Sequence, residues 1–78
     1  MADLSPSALR RFIDATAPKV VEATGLPVDE ARVAAVSLVP PFEEDGEGNA
    51  VLRLEGGQIV GRVPLAELDP YDVLEGLE

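Results

Sequence analysis

Apolar or small side chains recur at Leu9, Phe12, Ile13, Thr16, Ala17, Val20 and Thr24. This is the i, i+3, i+4, i+7 stripe of an amphipathic helix, and Arg10, Arg11 and Asp14 fall off it. Ser5 is placed to cap the helix. Pro6 suits its first position, where the missing N–H would have had no partner anyway. Pro18 interrupts the pattern by removing the bond to the Asp14 carbonyl and crowding it, at about 3 kcal/mol. The stripe keeps phase across Pro18, so the sequence allows two outcomes. The helix kinks and continues, or it breaks and Thr16 caps a second short helix. Gly25 reads as the residue just past the end, and Pro27 prevents continuation.

Residues 28–39 fit two templates. Asp29 and Glu30 suit a first helical turn, with Ala31, Ala34, Ala35 and Leu38 then sharing a face. The β-branched Val33, Val36 and Val39 favour a strand instead. Periodicity does not choose between helix and strand over so short a run, and Pro40-Pro41 ends either one. Residues 40–49 then read as a solvated acidic loop, anchored to the core by Phe42.

The runs Ala50–Glu55 and Gln58–Val63 flank Gly56-Gly57, which predicts a β-hairpin with a two-residue I′ or II′ turn. Such a turn sets Leu54 opposite Ile59, Arg53 opposite Val60, Leu52 opposite Gly61, Val51 opposite Arg62 and Ala50 opposite Val63. One side then carries Ala50, Leu52, Leu54, Ile59, Gly61 and Val63. The other carries Val51, Arg53, Glu55, Gln58, Val60 and Arg62. A one-residue slip would undo this sorting. Pro64 ends strand pairing. Asp69-Pro70 forms a cap and first-position pair, which predicts a short helix over 70–75 with Tyr71, Leu74 and Leu77 turned inward. The expected fold is therefore α+β in a single small domain, residues 1–78. An N-terminal amphipathic helix, with Pro18 as its weak point, packs on the antiparallel hairpin 50–63. Residues 28–39 add a further helix or strand, and a short C-terminal helix closes the chain.

Composition narrows the chemistry. The chain has no Cys and no His, which excludes disulfides, Cys/His zinc sites, imidazole acid–base work and thiol chemistry. No apolar run reaches the ~18 residues that span a bilayer. Met1-Ala2-Asp3-Leu4 lacks the basic and apolar regions of a signal peptide. The expected location is the cytoplasm, or a virion assembled there. The net charge of −9 is uneven: residues 40–78 hold ten acids and two bases and so carry −8 of it. Such a surface repels phosphate backbones and anionic membranes, and it suits a partner with a basic surface.

No motif supports catalysis or a cofactor. An EF-hand loop begun at Glu43 would use Glu43, Asp45 and Glu47, but Leu54 falls where the closing glutamate belongs. Ser5, Ser7 and Ser37 have no base partner, and nothing in the sequence marks the single Lys19 for Schiff-base chemistry. Gly56-Gly57-Gln58 spells the tripeptide of peptide-chain release factors, whose glutamine works inside a strongly anionic ribosomal centre. An acidic chain is ill suited to that place, and a hairpin turn already accounts for the glycines.

Residues 20–31, Val20-Val21-Glu22-Ala23-Thr24-Gly25-Leu26-Pro27-Val28-Asp29-Glu30-Ala31, resemble a helix-turn-helix, with the glycine hairpin in the place of a wing. The resemblance covers residues 6–63 and implies a winged-helix arrangement. Its recognition helix opens on Asp29 and Glu30 with Arg32 as its one cation, and the wing adds only Arg53 and Arg62. That balance turns the expectation away from nucleic acid and towards protein. The sequence thus points to a non-catalytic acidic accessory or structural subunit that binds protein partners in a larger assembly. A winged-helix-type regulator or interaction module, a bacterial-virus virion component and a small subunit of a multi-subunit enzyme stay open as alternatives, and a homo-oligomer stays open as an assembly. Candidate partner-binding residues are Glu43, Glu44, Asp45, Glu47, Arg53, Arg62 and Tyr71. They lie on the acidic loop, the mixed face of the hairpin and the 68–78 segment.

Overall fold

The computed structural model describes residues 5–77, so Met1–Leu4 and Glu78, and the signal-peptide reading that falls on Met1–Leu4, lie outside the described residues. The element order is α1 (Pro6–Thr24), α2 (Val28–Val36), β1 (Asn49–Arg53), β2 (Ile59–Pro64) and α3 (Pro70–Gly76). Among the described residues, three helices and a two-stranded antiparallel hairpin make an α+β fold with α1 packed on the hairpin. No helix among the described residues is long and apolar enough to cross a membrane.

The first helix is continuous through Pro18. Pro18 and Asp14 are both exposed, so the carbonyl that loses its partner lies on the watery side. The opposite side buries Phe12, Thr16, Ala17 and Val20, and that packing holds the helix together across the proline. Thr16 caps no second helix; its hydroxyl donates to the Phe12 carbonyl at 2.8 Å. Both ends form as expected: Ser5 Oγ accepts from the Ala8 N–H, and the Gly25 N–H donates to the Val21 carbonyl.

Residues 28–36 are helical. Ala31, Ala34, Ala35 and Leu38 are fully buried in a single stripe. The small alanines let α2 pack closely against α1, and Arg32 adds an ion pair to Asp14 at 2.8 Å. Of the valines that favoured a strand, Val33 and Val36 lie off this stripe, and Val39, beyond the helix, is partly buried against the core. Tertiary burial of the alanine face outweighs their preference, which is worth only tenths of a kcal/mol per residue.

The hairpin stands where expected, but its turn differs. Gly56 has no positive φ, which excludes both I′ and II′ turns. The Gly57 N–H instead donates to the Leu54 carbonyl, and Gly57 takes a φ of 86°. This is a three-residue loop, Glu55-Gly56-Gly57, whose last position needs glycine. The added residue shifts the pairing by one and brings Arg53 opposite Ile59 rather than Val60. A bulge at Val60 cancels the shift, so Leu52 still faces Gly61, Val51 faces Arg62 and Ala50 faces Val63. The expected faces are corrected accordingly: Ile59 is exposed, while Val60 is partly buried against the core. Gly61 lets the helix approach, since a Cβ there would sit 3.0 Å from the Thr24 methyl.

The core gathers Phe12, Val20, Ala31, Ala34, Leu38, Ala50, Leu52, Val63 and Leu68. The C-terminal helix contributes at its edge through Val73 and Leu74, with Leu77 just beyond it. Asp69 caps this helix by accepting from the Tyr71 N–H at 2.9 Å. Tyr71 itself does not turn inward. It is 57% exposed, with its ring 5.6 Å from that of Phe42.

Candidate functional site

The acidic stretch is not a loose loop. It runs back beside β1, where the Val51 N–H donates to the Glu43 carbonyl and Glu44 bridges Ala50. Val51, expected on the open face, is buried. The Asp45 side chain is only 10% exposed. It accepts from the Glu47 N–H at 2.7 Å, the Asn49 N–H at 3.2 Å and the Asn49 amide at 2.9 Å. The Asn49 and Glu47 hydrogen bonds, with the Arg62 guanidinium at 3.4 Å, hold its carboxyl below the usual range. Glu43 takes a two-pronged pair from Arg53, at 2.8 and 3.3 Å, and the hydrogen bond from Arg53 holds its carboxyl low as well. Arg53 also donates to the Gly57 carbonyl, which ties the acidic segment to the hairpin turn.

Four of the residues singled out from sequence are therefore spent on one another. Glu43 pairs with Arg53, and Asp45 with Arg62. Asp45 directs its oxygens at its own loop, as an Asx-type turn does. Among the described residues no group of three His, Cys, Asp or Glu is placed to hold a metal ion. Glu44 and Glu47 point outward, and their side chains make no ion pair among the described residues. Tyr71 is on α3, with its ring against Phe42, the residue before Glu43.

The outer edge of β1 is also occupied. Its N–H groups go to Asp45 Oδ1 from Asn49, to the Glu43 carbonyl from Val51, and to Ser37 Oγ from Arg53. The other strand, β2, carries the Val60 bulge and ends on Pro64, both features that discourage edge pairing.

An open apolar surface lies elsewhere. Val33 and Val36, 40% and 46% exposed, project from the outward face of α2. The Ser37–Arg53 hydrogen bond holds the end of α2 against β1 and brings these valines opposite Leu54. Between them runs a groove formed by two adjoining hollows. One, of about 340 Å³, is lined by Val33, Val36, Ser37, Arg53, Leu54 and Glu55. The other, of about 380 Å³, extends past Asp29, Glu30, Gly56 and Gln58. The floor is aliphatic, and exposed Asp29, Glu30 and Glu55 stand on the rim. The one cation among the described residues of the groove wall, Arg53, is already neutralised by Glu43.

Of the groove residues only Arg53 was singled out from sequence. The available signal was conditional: if 28–36 is a helix, Val33 and Val36 fall off the alanine stripe and must face outward. A further hollow of about 420 Å³ separates α1 from residues 63–68. Its polar side chains, Lys19, Glu22 and Glu67, are all exposed, and among the described residues it holds no nucleophile paired with a base.

The helix–turn–helix–hairpin order exists in the fold, but the face of α2 that would meet bases carries Asp29, Glu30, Val33 and Val36. Comparison with known proteins adds no relative: no family model, no curated protein and no solved structure matches the chain.

Proposed function

We propose that this protein is a non-catalytic accessory subunit of the cytoplasm that works by binding another protein, and that the groove between α2 and the hairpin turn is its contact surface. One observation carries the reading. Val33 and Val36 are exposed apolar residues on a nine-residue helix, and they line a shared apolar groove with Leu54. Neither core packing nor helix propensity calls for valine at those positions. A local choice that conflicts with the fold's own needs marks a site kept for another purpose. A joined apolar surface with a polar rim is the usual anatomy of a protein interface.

Native pull-down with mass spectrometry tests this, with wild type run beside Val33→Gln. Glutamine is the better helix former, so the variant should fold. The expected result is a protein held by the wild type and lost from the variant. Identical captures by both forms would remove the groove as the contact surface.

A further inference from the structure

We infer that the groove takes an α-helix of a basic partner, laid in with an apolar stripe downward and its cations over the rim. This rests on the reading of the groove as a contact surface and adds the chemistry of what fills it.

Charge is the first argument. Asp29, Glu30 and Glu55 surround the aliphatic floor, and Arg53 contributes no free charge against them. A partner must bring apolar side chains for Val33, Val36 and Leu54 together with cations for three carboxylates. A second copy of this chain does the reverse. A two-fold contact through the groove would set the acidic rims against each other.

Backbone accounting is the second argument. A partner strand needs free N–H and C=O groups on the surface it joins. Here the N–H of Arg53 and both backbone groups of Leu54 are taken. The Arg53 N–H goes to Ser37 Oγ, the Leu54 N–H to the Gln58 carbonyl, and the Leu54 carbonyl accepts from Gly57. The opposite wall is helical, with its bonds satisfied internally. An occupant therefore meets no row of free N–H groups along β1, which favours a helix, whose backbone bonds are already made, over an extended peptide.

The test uses the full chain and a labelled peptide of about 18 residues, long enough to hold a helix, built from leucine and lysine with the leucines at i, i+3, i+4 and i+7. A scrambled peptide keeps the charge and loses the stripe. The striped peptide should bind and shift the amide NMR signals of Val33, Val36 and Leu54. A Val33→Gln/Val36→Gln variant with unchanged circular dichroism should bind it at least about tenfold more weakly. Glu44→Gln should bind it as the wild type does. Equal binding of the scrambled peptide, shifts centred on residues 43–47, or no binding would each overturn the inference. So would wild-type self-association that Val33→Gln abolishes, because a second copy would then be the occupant. A protein captured by the wild type and lost from Val33→Gln, with no peptide binding, would leave the groove as a contact surface and reject the basic helix.

Discussion

The acidic segment 43–47 and the groove beside α2 offer opposite lessons about exposed residues. The segment is dense in charge, yet two of its four carboxylates are bound to arginines of the hairpin, and Asp45 is also bound to its own loop. Those two charges are structural and hold residues 43–45 beside β1. The groove has an aliphatic floor, and its rim carboxylates make no ion pair among the described residues. What an outward side chain can offer a partner depends on what it has left after its own fold is satisfied. Charge density alone gives the wrong ranking, because opposite charges close by in the fold consume one another.

The comparison breaks most severely if the support beneath the groove is removed. Leu38 is fully buried just beyond the end of α2. Leu38→Ala should cost about 2–5 kcal/mol, a large share of the ~4–12 kcal/mol expected of a chain this size. Thermal or urea unfolding measures this, and a loss below about 0.5 kcal/mol would mean that α2 does not depend on this packing.

The acidic segment gives a pH signature. Glu43 and Asp45 have folded pKa values below their ordinary 4.5 and 3.8. A carboxylate with a lowered folded pKa contributes stability that is fully present above its unfolded pKa. That contribution is lost as the pH falls through the folded value. Asp45→Asn should therefore flatten the dependence of melting temperature on pH between about pH 5 and pH 3. It should also speed hydrogen exchange at the Glu47 amide, whose acceptor becomes a weaker neutral oxygen. A slope equal to that of the wild type would show that Asp45 does not organise the segment.

The smallest effect belongs to Glu44→Gln. The Glu44 side chain is exposed and unpaired among the described residues, so the melting transition should shift by less than about 0.5 kcal/mol. A larger change would restore Glu44 to the structural network and blur the contrast between the two regions.

The hairpin shows how far sequence reasoning carries and where it stops. Its place was legible, because Gly56-Gly57 separates two β-prone runs. Its turn was not, because paired glycines suit a two-residue turn and a three-residue loop equally. The core decides the register: Ala50, Leu52 and Val63 must all be buried, so the Val60 bulge takes up the extra loop residue. Ile59 and Val60 then exchange the faces that strict alternation assigns them. Arg53 and Arg62 were legible as candidates by charge, but not as structural links, because their partners are 10 and 17 residues away in sequence.

By itself the sequence determined the local matters. It set the stripe of α1 and its Ser5 and Gly25 ends, the Asp69 cap, the presence of a glycine hairpin, and the absence of thiol and imidazole chemistry. These depend on neighbours within about one turn of the chain, where propensity and capping act. Only the tertiary structure decided that Pro18 leaves α1 whole and that 28–36 is a helix. It also decided that the acidic stretch folds against β1 and that Val33 and Val36 face Leu54 across a groove. Each of those outcomes turns on which surface is shielded from water once distant segments meet, a quantity that no local pattern contains.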